Sequence, residues 1–312
     1  MADPRIITLE GAPNVAVLFA RAAATSVGRG GALEAVEVRR PGVRIERARL
    51  AAYDRVCGFA LRDALPATYL HVLVFPLQVV LMADRGFPLG PVGLVHVRNR
   101  IVVHRQVDAA EVLSLSSTAL ALRPHPKGVQ VDLVGQVRVG EELVWEGVST
   151  YLSRGVSMPG ETAVPGETAM SRGASTPGET AVPGEVELES PADVGCGPDA
   201  RIKAVWHVPA EMGRRYASVS GDVNPMHLSS LAAKASGFPR ALVHGMWTKA
   251  HALAAIESRL PPAYVVDVVF SQPLLLPSVA NFLVVQRDQG WNFAVRPAGR
   301  SGDHLRGAVR TS

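Results

Sequence analysis

The residues best suited to chemistry lie between Tyr216 and Glu257, in YASVSGDVNPMHLSSLAAKASGFPRALVHGMWTKAHALAAIE. Asp222 and His227 sit five residues apart, separated by Asn224-Pro225. On an unbroken helix that spacing would point them apart. Asn-Pro has the form of an N-cap followed by proline at the first helical position, and such a break lets both side chains face one pocket. Gly221 permits a tight or positive-φ approach to the loop. Asn224 is expected to cap the helix and is a candidate to orient one member of the pair. A second helix start follows at His244-Gly245. Its free N–H groups, with the positive end of the helix dipole behind them, could receive a developing oxyanion, and glycine lets the oxygen come close. Asp and His with no Ser or Cys in a recognisable nucleophile motif point to general acid–base work on water and away from an acyl-enzyme. The plain alternative is a capped turn and a packed histidine; the clustering of these features ahead of an apolar helix favours function. Asp222, His227 and His244 match no standard metal-ligand spacing, so no metal is expected, and no cofactor.

The segments that must position this stretch repeat one order twice. Arg5 to Leu9 reads as a short strand, and about Asn14 to Thr25 as a helix ended by Gly28. Residues 31–63 alternate Val and Arg and read as short strands or irregular chain. A helix is expected from about Leu73 to Asp84, stopped by Gly86 and Pro88. Period-two patterns from Val92 to Arg154 give several strands, with hairpins at Lys127-Gly128 and Gly140. In the second half, a strand and short helix lead to helices over 225–235 and about 245–258, followed by four strands. Each half thus has an apolar helix, a proline-bearing turn and antiparallel strands, an α+β pattern that suggests two copies of one fold. GDxNPxH occurs in the second copy; the first has VCGFALRDALPATYLH at the comparable place.

Between the halves lies an 18-residue tandem duplication, SRGVSMPGETAVPGETAM and SRGASTPGETAVPGEVEL, identical at 13 positions. Its Pro, Gly, Ser, Thr and Glu content cannot bury a core, so 153–198 is expected to be a disordered linker between domains at 1–152 and 199–312. A hydrophobic content of 47% gives those domains sizeable cores. The net charge of +4, with 32 Lys and Arg, suits a phosphate-bearing ligand or an acidic carrier protein and is too diffuse for nucleic acid. Two cysteines without metal spacing and an N-terminus unlike a signal peptide suggest a reduced, cytoplasmic protein. No apolar run is long enough to span a membrane.

Tyr216, Ser220, Gly221, Asp222, Asn224, Pro225, His227 and Ala233 follow, in order, an aromatic residue, a small residue, Gly-Asp-x-Asn-Pro-aliphatic-His and a small residue six positions on. Met226 stands at the aliphatic position, and His244-Gly245-Met246 supplies a second block. On these residues the C-terminal half resembles the MaoC-like family of (R)-specific enoyl-CoA hydratases and 3-hydroxyacyl-thioester dehydratases. With LPATYLHVLVFPL and GLVHVRN, the whole chain resembles the double-hot-dog dehydratases of actinobacteria. The resemblance implies two antiparallel sheets, each wrapped around a central helix, with a degenerate N-terminal unit that helps form an acyl channel. It implies that Asp222 and His227 add or remove water, that the Gly245 N–H binds the thioester oxygen, and that Asn224, Gly221, Tyr216 and His244 support them. The substrate would be an acyl-CoA or acyl-carrier-protein thioester and the assembly a monomeric pseudo-dimer or a homodimer. Leu253 stands where some members place a serine that touches the catalytic Asp. A non-catalytic acyl-thioester-binding subunit and a hot-dog thioesterase stay open as alternatives. The apolar helix residues Leu73, Val74, Leu77, Val80 and Leu81 could line an acyl channel or be plain core.

Overall fold

The computed structural model describes residues 4–24, 29–90, 93–120, 122–156, 158, 194–197 and 200–311. The first half contains strands β1 (Arg5–Thr8), β2 (Val36–Val43), β3 (Leu94–Val103), β4 (Leu113–Ala119), β5 (Arg123–His125), β6 (Gly128–Val139) and β7 (Glu142–Arg154). Its helices are α1 (Val15–Ala24), α2 (Arg47–Cys57) and α3 (Ala67–Ala83). The second half contains β8 (Ile202–Val208), helices α4 (Met212–Ser220), α5 (Pro225–Leu228), α6 (Ser230–Ala235) and α7 (Gly245–Ala254), then β9 (Tyr264–Phe270), β10 (Ser278–Arg287), β11 (Gly290–Pro297) and β12 (Leu305–Thr311).

The two expected sheets are joined edge to edge. One 12-stranded sheet runs β1-β2-β4-β6-β7-β3-β9-β12-β11-β10-β8, with β5 on β6. The seam is the antiparallel ladder of β3 on β9, from Arg98 opposite Val269 to Val103 opposite Tyr264. Every pair is antiparallel except β1 on β2, which is parallel. Helix α3 packs on β2, β4, β6 and β7, and α7 on β11 and β12. Each half is therefore a sheet with one central helix, the α+β double hot-dog arrangement. No helix among the described residues is long and apolar enough to cross a membrane.

Helix α3 starts six residues before the expected Leu73. Pro66 precedes it with φ −59°, a value already suited to a helix entry, and 13 of its 17 residues are buried. A helix apolar on all sides is one the fold surrounds. Helix α2 replaces the expected strands or irregular chain. Its buried residues Leu50, Tyr53, Asp54 and Cys57 have helical spacing, which outweighs the local Val/Arg alternation, and Gly58 at φ 88° closes it. Of the duplication at 153–188, residues 157 and 159–188 lie outside the described residues, but both ends of the expected linker have structure. Ser153 and Arg154 belong to β7. Val194 is buried, and the backbone of residues 195–196 is held on the second half by Asn292 Nδ2 donating to Gly195 O (2.8 Å) and Arg296 Nη2 to Cys196 O (2.8 Å).

The main core crosses the seam. Leu50, Tyr53, Leu70 and Trp145 of the first half share it with Trp206, Tyr216, Trp247 and Phe293 of the second. Val74, Leu77 and Leu81 are buried there and Leu73 and Val80 pack against it, so this face of α3 is core. Other α3 side chains, Phe75 and Met82, face a cavity.

Candidate active site

The break between α4 and α5 places Asp222 and His227. Gly221 ends α4 in the left-handed region at φ 74°, with its N–H donating to Ala217 O, which turns the chain so that Asp222 leaves the helix. Two short bonds then fix the loop: Asp222 N donates to Ser220 Oγ (3.2 Å) and Asn224 N to Asp222 Oδ1 (3.2 Å). Asn224 Oδ1 accepts from Met226 N at 3.5 Å, so its side chain caps α5, and Pro225 starts the helix. The support Asn224 gives Asp222 thus comes from its backbone N–H; no hydrogen bond from its side chain to Asp222 or His227 is among those described.

His227 Nδ1 lies 2.8 Å from the Leu242 carbonyl. A carbonyl only accepts, so Nδ1 carries the proton and Nε2 keeps a free lone pair. The His244 ring stacks on that of His227 at 3.7 Å between centroids, and its Nε2 lies 3.0 Å from the Asp222 carbonyl and 3.7 Å from Asp222 Oδ2. Tyr216, buried on α4, backs His244 at 5.0 Å between rings. Asp222, His227, His244, Gly245 and Asn224 all line one cavity of about 350 Å³, while Gly221 and Tyr216 act from behind it.

Ligand atoms of Asp222, His227 and His244 lie within 4.8 Å of one another. The rings, however, are stacked at 27°, so their in-plane lone pairs run side by side instead of converging, and His244 Nε2 is engaged by a carbonyl. Stacking and carbonyl bonding suit proton handling better than metal binding.

Burial raises the Asp222 carboxyl above its ordinary value, opposed by His227 and by the Asn224 N–H. Burial lowers the His227 imidazole, opposed by Asp222 and by the Leu242 carbonyl. The two pKa values are drawn toward each other, which lowers the cost of moving one proton through the pair. His244 is pushed well below the usual imidazole range by burial and then by His227, so it stays neutral beside the pair.

Gly245 opens α7, with His244 as its N-cap residue, and its N–H has no intrahelical acceptor. A Cβ on Gly245 would lie 2.9 Å from the Phe270 ring, so only glycine fits against that ring. Leu253 is buried and borders a separate small cavity with Phe59 and Leu65; it does not line the one that holds Asp222. Thr248 and Ser271 do line the main cavity, but among the described residues neither hydroxyl bonds to an imidazole, so no nucleophile–base pair is formed.

The first half supplies part of the same cavity, as the resemblance implied, but local motifs did not single out the residues that do so. A register shift between His96 and Arg98 turns His96 toward it. The His96 ring stacks on Tyr151 at 4.6 Å and meets Phe270 at 5.0 Å. Burial, then the charge of Asp222, raises the Tyr151 phenol, so this hydroxyl stays protonated. Phe19, Phe75 and Met82 add an apolar wall.

Residues 192–289 match the family described as MaoC like domain. The chain is 34% identical over 267 residues to 3-hydroxyacyl-thioester dehydratase X of Mycobacterium tuberculosis, covering 85% of this chain and 86% of that protein. The crystal structure of HtdX from Mycobacterium tuberculosis superposes with a TM-score of 0.72 at 31% identity, over 88% of this chain and all 100% of that one. A MaoC-like dehydratase from Phytophthora capsici shares the fold at TM-score 0.67 and 16% identity, over 93% of this chain and 97% of that one. With an identity above 30% sustained across both halves, the chain belongs to the MaoC-like family of 3-hydroxyacyl-thioester dehydratases.

Proposed function

We propose that this enzyme, a hydro-lyase, interconverts (3R)-3-hydroxyacyl and trans-2-enoyl thioesters, using Asp222 and His227 as its acid–base pair. The observation that carries this reading is the pair itself: a raised carboxyl and an imidazole with a fixed tautomer, lining one cavity of mixed polar and apolar character next to the N-terminus of α7. In dehydration the pair removes the proton from C2 and protonates the hydroxyl leaving C3, and the electrons of the C2–H bond become the new double bond. The thioester oxygen gains charge as C2 loses its proton, and the Gly245 N–H is placed to receive it. In hydration the same groups activate water and return a proton to C2. His244, neutral and stacked on His227, holds the imidazole in place. The first half, in which GDxNPxH does not occur, acts by shaping the cavity, and residues 199–312 carry the chemistry.

The test is to add a trans-2-enoyl-CoA and follow enoyl absorbance together with free thiol. Hydration removes the enoyl absorbance and leaves the thioester intact. Release of thiol at the rate of enoyl loss would replace this reading with a thioesterase. Binding without turnover on CoA and carrier-protein substrates alike would make the chain a binding subunit.

A further inference from the structure

Among the described residues Asp222 is the one carboxylate lining the main cavity, while Lys127 and Arg154 stand on the same lining as cations. Both belong to the first half, Lys127 in the turn between β5 and β6 and Arg154 at the end of β7. The ladder brings them together: Arg154 is the register partner of Gly128, and the Gly155 N–H donates to Lys127 O (3.0 Å). His125, opposite Gly128 on β5, joins them. Its Nδ1 accepts from Lys127 N (3.1 Å), which leaves the ring proton on Nε2 as a donor.

Several other cations of this half meet carboxylates within the fold, though not all of them do. Arg123 pairs with Asp132, Arg105 with Glu111 and Glu142, and Arg98 with Asp267. Lys127 and Arg154 are exposed, and among the described residues no carboxylate pairs with either. Two exposed cations on the rim of this cavity attract an anionic group of whatever enters it.

The spacing suits a particular ligand. Phe270, against Gly245, ends β9; β3 pairs beside β9 and β7 beside β3, with Tyr151 opposite His96. Two strand spacings of about 4.8 Å and three residues of about 3.3 Å put Arg154 about 14 Å from Phe270. A pantetheine arm has roughly thirteen bonds from sulfur to phosphorus, about 15 Å at the ~1.2 Å per bond of an extended chain. A thioester held at Gly245 would therefore carry its phosphate to this rim.

We infer that Lys127, Arg154 and His125 form a phosphate subsite for the phosphate that ends the pantetheine arm, the group common to coenzyme A and acyl carrier protein. The inference rests on the dehydratase reading above. It assigns to the first half a role in gripping the carrier, separate from shaping the acyl channel.

The experiment compares four crotonyl thioesters on wild type and on Lys127→Ala/Arg154→Ala: those of pantetheine, phosphopantetheine, coenzyme A and acyl carrier protein. For wild type, the expected result is a KM for the phosphopantetheine thioester about tenfold or more below that for the pantetheine thioester. In the double variant this ratio collapses toward one, KM rises for the coenzyme A and carrier-protein thioesters, and added salt mimics the change in wild type. Lys127→Arg, which keeps the charge, retains the ratio. An unchanged ratio in the double variant overturns the subsite, as does a loss confined to coenzyme A with phosphopantetheine unaffected. Wild type inactive on all four thioesters would instead overturn the dehydratase reading.

Discussion

Gly245 meets two demands at one position. On the proposed mechanism its N–H receives the thioester oxygen, and its α-carbon must leave room for the Phe270 ring, which a Cβ would meet at 2.9 Å. Gly245→Ala should therefore move either the ring or the first turn of α7. The expected outcome is a stability loss of about 1–3 kcal/mol, with kcat/KM lowered by roughly 10²-fold or more as the N–H leaves its place. Thermal melting and steady-state kinetics on the same preparation check both parts. The pH profile also belongs at this scale. As the proposed base, His227 acts only when neutral, and burial lowers its pKa from the ordinary 6.5. The acid limb of kcat/KM should thus fall below pH 6.5, and a limb above it would contradict the assigned environment. Asp222, Asn224-Pro225 and Gly221 were legible in the sequence because capping and positive-φ chemistry are local. The Asn224 cap was legible for the same reason, whereas its backbone bond to Asp222 Oδ1 depends on the loop's exact turn and was not. His96 and Tyr151 could not be read at all: one is turned by a register shift, and both meet the site only through strand pairing.

At the scale of elements, α2 shows both the limit of local patterns and a testable cost. Its Asp54 is 1% exposed, its Oδ1 has no hydrogen-bond partner, and burial, then Glu257, raises its pKa to about 7. The folded state holds this proton up to about pH 7, whereas the unfolded chain releases it near 3.8. Stability contributed by the protonated acid is thus present below pH 3.8 and is lost as pH rises toward 7. Asp54→Asn, which keeps the shape without the ionisation, should raise Tm at pH 8 and change it little at pH 4. Equal shifts at both values would refute the buried-acid account. The helix was hidden in the sequence because Arg47, Arg49 and Arg55 crowd its exposed side. The true extent of α3 was hidden for the opposite reason, since a helix apolar on all sides shows no stripe. The strands from β3 to β7 and β9 to β12 were plain, because alternation and glycine turns are short-range signals.

For the whole molecule, the seam between halves decides whether the site exists, since the cavity draws residues from both. Asp267, 2% exposed on β9, receives Arg98 and Arg100 from β3. Lys249 of α7, fully buried, donates to Asn99 Oδ1 (2.6 Å), Asn99 O (3.1 Å) and Val266 O (3.3 Å). With the main core also continuous across the seam, the two halves should unfold together in one calorimetric transition. Asp267→Asn, which strands buried guanidinium charge, should cost about 3–5 kcal/mol. Two separated transitions in the wild type would refute the shared core. The doubling of the fold was legible from the repeated order of elements. The seam was not, because its partners lie 169 residues apart and arginines on a strand look like a solvent face.

The central claim is that Asp222 and His227 of the second half perform the proton transfers. The most direct measurement is kcat for hydration of a trans-2-enoyl thioester by wild type, Asp222→Asn and His227→Ala, with folding verified for each. The account predicts losses of about 10²–10⁴-fold in kcat for each variant, with KM changed only a few-fold. Wild-type turnover in either variant would contradict it.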